Sequence, residues 1–336
     1  MKKLEHLSFA KSILMICVIA GHSCAYWTGG WFSAEDVLIE SPFLNYLSEW
    51  FGSFHTYAFT MISGLLYAYH EKNKGIDSLI VILGKKFKRL IIPYCFISIC
   101  WVIPLSQFFY HYSIDTVLIK YLLGRSPSQL WFLLMLFWVF VIFRLIQPIL
   151  NKCRYFYVIF PVLFVSSIFI PESFNWFQLI KTFEYLLYFS IGYVYMKHFS
   201  QVGLPFGETI SVSLFACAMF VVDIALFIFG IGIKPGLFGI AYRKLLNIVG
   251  CIMAVVLLCN LGRRIEKGSV LNLFENNSFT MYMLHQQIIY FSLTMFNGIM
   301  PPPIHAVLNF LIAVILSLGI SILMHKSSKL SFLLGE

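Results

Sequence analysis

The chain has 336 residues, of which 60% are hydrophobic and only 12% are charged, and its formal net charge is +9. Soluble domains carry about a quarter charged residues, and a single core cannot bury so many Phe, Leu and Ile side chains. The composition excludes a large soluble helical protein and predicts an all-α integral membrane protein. It does not indicate nucleic-acid binding, because the basic residues stand in short clusters between apolar runs, which is the positive-inside pattern of membrane proteins.

Apolar runs of about 20 residues, long enough to cross a bilayer as helices, recur along the whole chain. They lie near 7–26, 47–69, 90–110, 129–149, 155–171, 178–196, 208–231, 241–261, 278–298 and 304–324. We therefore predict about ten transmembrane helices in a single transmembrane domain over residues 1–336, with no soluble domain. The N-terminus resembles a signal peptide but lacks a small-x-small cleavage site, so we interpret it as a retained first helix.

The distribution of Lys and Arg predicts the orientation. With the N-terminus inside, the predicted inner segments hold the basic clusters at 85–89 and 263–267, whereas the first outer loop, about 27–46, has acids but no Lys or Arg. The bias places the N-terminus in the cytoplasm, and an even number of spans returns the C-terminus there. The eight cysteines show neither metal-ligand spacing nor a disulfide pattern, and no metal is expected.

Ionisable side chains inside the predicted spans are the best functional clue, because they are costly in a bilayer unless they face a cavity or a partner. The first span carries Lys11 and His22. A separation of 11 residues (22 − 11) returns to the same helix face and places them about 16 Å apart along the axis. We expect Lys11 near the cytoplasmic side and His22 near the outer side. The plain alternative is a snorkelling lysine and an interfacial histidine.

The second span carries His55 in its outer half, at a depth similar to that of His22. Two helices would thus bring two imidazoles into one pocket. Ser63-Gly64, later in this span, permits close helix approach, and packing alone would explain it. The basic cluster Lys85–Arg89, before the third span, is either a topology signal or a site for the phosphates of an anionic cofactor.

The ninth span opens with Asn276-Asn277-Ser278, which favours a helix N-cap there. Ser278, Tyr282 and His285 then share one helix face, and His285 lies about 10 Å into the membrane from the cytoplasm. The alternative for His285 is a lone histidine hydrogen-bonded between helices.

Three further polar or aromatic residues stand inside or at the start of predicted spans. Trp131 opens the fourth span, where an interfacial belt tryptophan is the alternative to a functional role. Glu184 and Asp223 are isolated membrane acids to which the sequence assigns no role.

Five segments, in this order along the chain, resemble the integral-membrane acyltransferase 3 family. They are Lys11 with His22; Phe54, His55, Phe59, Ser63 and Gly64; Lys86, Arg89 and Pro93; Leu130 to Leu133; and Ser278, Tyr282 and His285. The resemblance covers nearly the whole chain and is closest to compact sugar O-acetylases, similar to fucose O-acetylases. Lysine replaces the family's arginine at Lys11 and Lys86, which keeps the charge but loses the bidentate fork.

The resemblance implies transfer of an acyl group, usually acetyl from acetyl-CoA, to a hydroxyl of a cell-surface glycan or its lipid-linked precursor at the bacterial inner membrane. We hypothesise that His22 is the general base and that Lys11 and the basic cluster hold the phosphates of the donor. His55, Glu35 or Asp36 would support His22. The residues expected to bind the donor are Lys85, Lys86, Lys88, Arg89, Ser63, Trp131, Tyr282 and His285.

Alternatives stay open at this point. The acyl group could pass through a covalent acyl-histidine. A multi-span transporter or glycan flippase would use Glu184, Asp223 and His285 for proton coupling or as a substrate path, and a glycan polymerase or scaffold would need no acyl chemistry. The implied partners are acyl-CoA, a carbohydrate acceptor and the lipid bilayer. The acceptor sugar, the acyl group, the side of transfer and the oligomeric state are open.

Overall fold

A computed structural model describes residues 5–29, 37–199, 210–234, 236–265 and 268–335. Within these ranges the chain forms helices, turns and no strand. Each predicted span coincides with a helix, and we number these helices in chain order. They are α1 (Glu5–Cys24), α2 (Pro42–Lys74), α3 (Leu79–Tyr110), α4 (Trp131–Lys152), α5 (Ile159–Phe169), α6 (Leu179–Val194), α7 (Ile210–Gly230), α8 (Leu237–Arg264), α9 (Ser269–Phe296) and α10 (Pro302–His325).

Several of these helices suit a membrane by length and composition alone. Among the described residues, five helical segments are long and apolar enough to cross a bilayer: Glu5–Thr28, Leu79–Tyr110, Ser128–Lys152, Leu237–Arg264 and Pro302–His325. Tyr155–Phe169 and Cys217–Gly230 are shorter apolar helices. Large apolar side chains such as Ile80 and Phe238 are more than 70% exposed, as expected of a surface that faces lipid. The chain is thus an all-α, multi-pass membrane protein. The number of about ten spans and the N-in orientation stay predictions.

Helix α3 is regular except at two π-helical turns, Phe87–Ile91 and Ser98–Val102. Each lies beside a proline, Pro93 or Pro104, which has no N–H for the helical ladder. Widening the turn keeps the neighbouring carbonyls paired, as π-bulges do. The basic cluster Lys85–Arg89 therefore overlaps a widened turn rather than a regular helix.

The chain divides into two compact units: unit 1 comprises Met1–Ile62 and His198–Leu318, and unit 2 comprises Ser63–Lys197 and Gly319–Glu336. In unit 1, α1 packs against α8 and α9, and α7 packs against α8. Side chains buried between these helices include Leu14, Ile19 and Met281. This arrangement sets α1 and α9, the helices of His22 and His285, side by side.

In unit 2, α6 packs against α4 and α5, and α3 packs against α4. The predicted close approach at Ser63-Gly64 is confirmed. A Cβ atom on Gly64 of α2 would collide with the main-chain carbonyl of Phe189 in α6. Only a glycine lets the two backbones touch there, in the manner of small-residue contacts in membranes.

A buried polar network joins three helices of unit 2 around Glu71. Glu71 Oε2 accepts hydrogen bonds from Gln147 Nε2 at 2.6 Å and from the Tyr193 hydroxyl at 2.8 Å. Lys197 Nζ donates to Glu71 Oε1 at 3.2 Å and to Asn151 Oδ1 at 2.8 Å. Gln147 and Tyr193 are fully buried. Opposite charges and matched donors thus bind α2, α4 and the end of α6 together.

The start of α9 differs from the prediction. The helix begins at Ser269, after Gly268, so Asn276–Ser278 lie inside it and do not cap it. Asn277 Nδ2 donates to the Leu273 carbonyl and Ser278 Oγ to the Glu275 carbonyl, so these polar side chains are satisfied by their own helix. His285 then lies 16 residues (285 − 269) from the helix start, or about 24 Å rather than 10 Å along it.

Candidate active site

The imidazoles of His22 and His285 form a hydrogen-bonded pair between α1 and α9. His22 Nδ1 lies 2.7 Å from His285 Nε2. The two rings are stacked, with centroids 4.9 Å apart and planes inclined by 16°. The sequence singled out both residues but gave them unrelated roles, the base and a donor-binding residue.

The backbone of α9 fixes which nitrogen atoms of this pair carry protons. His285 Nδ1 lies 2.8 Å from the Tyr282 carbonyl oxygen and 3.2 Å from that of Met281. A carbonyl only accepts, so His285 Nδ1 carries a hydrogen and, in the neutral ring, Nε2 carries the lone pair. His22 Nδ1–H therefore donates to His285 Nε2, and the lone pair of neutral His22 lies on Nε2. This is the tautomer that a general base needs.

A third imidazole completes the cluster. The His55 ring of α2 stands edge-on to His22, with centroids 6.3 Å apart and an interplanar angle of 87°. His55 is 5% exposed and His285 is fully buried, whereas His22 is partly exposed. His55 Nδ1 is a buried atom with no hydrogen-bond partner among the described residues. His22 is thus the most exposed of the three imidazoles.

The close contact of α2 with α1 places His55 in this cluster. A Cβ atom on Gly21 would lie 2.9 Å from Phe51 Cβ and 3.8 Å from His55 Nε2. Ser48 Oγ, further along α2, donates to the Gly21 carbonyl at 3.0 Å. The glycine beside His22 therefore lets α2 approach α1 closely, and the Ser48 hydroxyl links the two helices there.

Three imidazoles in one place raise the question of a metal. The 2.7 Å separation of His22 Nδ1 and His285 Nε2 is a hydrogen-bond distance, and it directs these two atoms at each other. No group of three or more His, Cys, Asp or Glu in the described part of the chain is arranged to hold a metal ion. The hydrogen-bonded geometry of the cluster is suited to acid–base chemistry.

Lys11 and Tyr282 accompany the histidines on the same helices. Lys11 is partly exposed and shares the continuous helix α1 with His22, so the same-face relation of the two residues holds. The Tyr282 ring centroid is 6.0 Å from that of His285, and Tyr282 is buried. Glu35 and Asp36, the predicted acidic support, lie outside the described residues.

The four basic residues predicted to bind the donor lie in unit 2, and different neighbours are seen for three of them. Lys85 Nζ is 2.7 Å from Asp77 Oδ2, in an exposed ion pair. Lys86 Nζ lies 3.5 Å from the Phe140 ring centroid and Lys88 Nζ lies 5.1 Å from that of Phe332. Lys85, Lys88 and Arg89 are exposed. Three of the four charges are thus exposed, and Lys86 is partly exposed.

The other predicted residues of unit 2 are set apart from this basic cluster in the chain. Trp131, at the start of α4, packs edge-on against Tyr185 at 5.6 Å and lies under Lys181, whose Nζ is 5.0 Å from its ring. Ser63 is partly exposed on α2. Glu184 of α6 is partly exposed as well.

Asp223, unassigned by the sequence, is fully buried in α7 of unit 1. Its carboxylate packs against Gly250 of α8, where an added Cβ would come within 2.9 Å of Oδ1. Neither carboxylate oxygen has a hydrogen-bond partner within 3.5 Å among the described residues.

Comparison with known families identifies the chain. A family model described as an acyltransferase domain, that of the acyltransferase 3 family, matches residues 5–326. The chain belongs to the acyltransferase 3 family. No curated protein and no solved structure gives a significant match. This protein is thus a multi-pass membrane acyltransferase, and family membership favours this activity over the transporter, flippase and polymerase alternatives.

The sequence missed the partnership of the two histidines. It predicted that His55, Glu35 or Asp36 orients His22, whereas in this acyltransferase His285 is hydrogen-bonded to it. A signal was present, since the carbonyls three and four residues before a helical histidine lie on its own face. That geometry would have predicted a hydrogen on His285 Nδ1. It would not have predicted that His285 Nε2 contacts the ring of His22.

Proposed function

We propose that this acyltransferase moves an acetyl group from acetyl-CoA to a hydroxyl of a cell-surface glycan, or of its lipid-linked precursor, at the cytoplasmic membrane of a bacterium. The observation that carries the proposal is the His22–His285 pair. Backbone carbonyls determine the tautomer of His285, and His285 in turn determines the tautomer of His22. A partly exposed imidazole with its lone pair on Nε2 suits deprotonation of a hydroxyl.

In the proposed reaction His22 transfers the proton and His285 supports it. His22 Nε2 takes the proton of the acceptor hydroxyl while the hydroxyl oxygen attacks the thioester carbonyl carbon. The carbon–sulfur bond then breaks, and the CoA thiolate leaves with the proton that His22 held. The products are the O-acetylated acceptor and CoA with a free thiol. His285 stabilises the transient His22 imidazolium, because its Nε2 accepts from His22 Nδ1–H and its own Nδ1–H is held by carbonyl groups.

Basic side chains at two places support an anionic donor. Lys11 lies toward the start of α1, on the face that carries His22, and about 16 Å from it along the helix. Lys85, Lys88 and Arg89 are exposed cations at the start of α3, and Lys86 lies beside them over an aromatic ring. Ammonium and guanidinium groups suit the phosphates of coenzyme A. Ser63, Trp131 and Tyr282 remain the proposed residues along its pantetheine arm.

The deciding experiment supplies radiolabelled acetyl-CoA to the cytoplasmic side of membranes that contain wild-type protein, His22→Ala or the control His111→Asn. Label is counted in protein, lipid-linked glycan and polysaccharide fractions. His111 is an exposed loop residue with φ 51°, and asparagine tolerates that backbone conformation.

We expect glycan label with wild type and His111→Asn, and a loss of at least about 1,000-fold with His22→Ala, the scale of a general base. Equal glycan label with His22→Ala would refute the assignment of the base. Label that stays in the protein fraction and depends on His22 would instead favour the covalent acyl-histidine route.

A further inference from the structure

Buried polar side chains continue beyond the histidine pair along the same helices of unit 1. Ser292 follows His285 by seven residues (292 − 285) on α9, which returns to the same helix face about two turns on. Asn309 Nδ2 of α10 donates to the carbonyl of Ser23, the residue after His22, at 3.3 Å. His305, one turn before Asn309, has Nε2 3.3 Å from the Ser292 carbonyl. Side chains from α9 and α10 therefore meet the end of α1 next to the base.

Two atoms of this group are buried without a hydrogen bond. Asn309 is fully buried and Ser292 is 2% exposed. Asn309 Oδ1 and Ser292 Oγ have no hydrogen-bond partner among the described residues. Burial of an unpaired polar atom is unfavourable, and such atoms in a native protein need an explanation. Ser317, equally buried on α10, instead donates to the Val314 carbonyl of its own helix.

Neighbouring side chains of α1, α9 and α10 make further contacts in this region. The His305 ring stands edge-on to Trp27 at 5.6 Å and to Phe296 at 6.1 Å. Tyr26 OH donates to Asn297 Oδ1 at 2.8 Å, which ties the end of α1 to the end of α9. Asn309 and Ser292 thus lie in the region where the ends of α1 and α9 are joined.

The chemistry of the two atoms selects the kind of ligand. A carbonyl oxygen accepts only, and a serine hydroxyl both accepts and donates, so the ligand must offer hydroxyl or N–H donors. Lys11 lies on the N-terminal side of His22 in α1, whereas Ser23 and its partner Asn309 lie on the C-terminal side. Because the anionic donor is proposed to approach from Lys11, the group beside Ser23 is on the acceptor's side of the base.

We propose that Asn309 and Ser292 form a hydroxyl-binding subsite for a polyhydroxylated acceptor, and that His305 is a positioning residue that holds Ser292. Hydroxyl groups of the acceptor donate to Asn309 Oδ1 and to Ser292 Oγ, and so present a neighbouring hydroxyl to His22 Nε2. The inference rests on the proposed function and adds to it the place where the acceptor binds.

The test uses the full-length protein in membranes, with radiolabelled acetyl-CoA as donor and the lipid-and-glycan extract of the producing cells as acceptor. Transfer rates are measured while each substrate is varied at a fixed amount of the other. The variants are Asn309→Leu and Ser292→Ala, and Ser317→Ala is the matched control. His22→Ala reports on the proposed function itself.

We expect Asn309→Leu to raise the half-saturating amount of extract about tenfold or more, since the acceptor hydroxyl would then be buried without its hydrogen-bond partner. Ser292→Ala raises it about threefold. The half-saturating acetyl-CoA concentration stays unchanged in both. Ser317→Ala leaves both requirements unchanged, because the Ser317 hydroxyl bonds within its own helix.

The subsite is refuted if Asn309→Leu leaves the extract requirement unchanged, or if it shifts the requirements for both substrates equally. A lower maximal rate with both requirements unchanged refutes it too, because that result is a structural effect. When wild type transfers label but His22→Ala transfers as much, the base assignment fails while the subsite result stands by itself. When wild type transfers none, both proposals fail.

Discussion

The Glu71 network of unit 2 and the histidine cluster of unit 1 are both polar groups among apolar helices, but they satisfy their atoms differently. Around Glu71, the Lys197 ammonium group donates to carboxylate oxygen Oε1, and the Gln147 amide and the Tyr193 phenol donate to Oε2. Every charge has an opposite charge beside it. Such an arrangement holds helices in place and leaves no atom poised to accept a proton from a substrate.

In the histidine cluster, two main-chain carbonyls and two imidazoles form a hydrogen-bonded chain that includes the partly exposed ring of His22. His55 Nδ1 nearby has no hydrogen-bond partner among the described residues. From this difference we expect the Glu71 network to serve stability and the histidine cluster to serve His22, the proposed base. The two networks should therefore respond to mutation in opposite ways.

The largest effect is expected when the partner of the base is removed. His285→Leu removes the acceptor that holds His22 Nδ1–H, so the rate of acyl transfer should fall about 1,000-fold while the thermal midpoint changes little. His285→Gln offers an amide oxygen to the same N–H and should recover at least about tenfold of that loss. The measurement is the rate of transfer per folded molecule as a function of pH. If the leucine and glutamine variants have the same rate and pH profile, His285 does not act through the tautomer of His22.

The opposite pattern is expected in unit 2. Glu71→Ala removes the carboxylate but leaves the Lys197 ammonium among its remaining partners, so the free energy of unfolding should fall by about 3 kcal/mol. The double variant with Glu71→Gln and Lys197→Met removes both charges and should lose less than the single change. Unfolding in mixed micelles measures the stability, and transfer per folded molecule should stay within about threefold of wild type. A large loss of specific activity at normal stability would give Glu71 a catalytic role.

A smaller effect is expected at the glycine beside the base. A Cβ atom at Gly21 would lie 2.9 Å from Phe51 Cβ, so Gly21→Ala should push α2 and His55 away from His22. Transfer should fall about tenfold, since misplacement by a fraction of an ångström is costly in catalysis. Gly52→Ala is the matched control on α2, because a Cβ atom there meets nothing within 4 Å. Equal activities of the two alanine variants would show that the close approach at Gly21 is not needed.

The helices were predictable because the length of an apolar run is a property of the sequence itself. The start of α9 was not predictable in this way. In the sequence Asn277 and Ser278 indicate a helix N-cap, whereas in the structure their side chains form hydrogen bonds within a helix that begins at Ser269. A serine hydroxyl or an asparagine amide can form hydrogen bonds both at a helix N-cap and inside a helix, and tertiary packing decides which position it takes.

The site was predictable residue by residue but not in its connections. An ionisable residue in an apolar run points to function, and this rule found His22, His55 and His285. It could not give the 2.7 Å contact between two of them, because that depends on the relative rotation and depth of α1 and α9. Ser292 and Asn309 were missed because the sequence analysis weighed ionisable residues above neutral polar ones, although both stand inside predicted spans.

The smallest effect is expected at an exposed ion pair, which calibrates the Glu71 result. Asp77, between α2 and α3, accepts a hydrogen bond from Lys85 Nζ at 2.7 Å, and this bond lowers the pKa of Asp77 below its usual value of 3.8. Because the pKa is lower in the folded state, the pair stabilises the protein fully above the unfolded pKa and loses this contribution as the pH falls through the folded pKa.

Asp77→Asn should therefore reduce the free energy of unfolding by less than about 1 kcal/mol at pH 7, since the pair is exposed and screened by solvent. The difference between variant and wild type should shrink as the pH falls below 4, and 1 M salt should reduce it at pH 7. Asp115→Asn, at an exposed acid in the helical turn Ile114–Val117, is the control. A loss at Asp77 as large as that of Glu71→Ala would mean that exposure does not separate the two networks, and that the contrast between closed and accessible polar groups needs another physical basis.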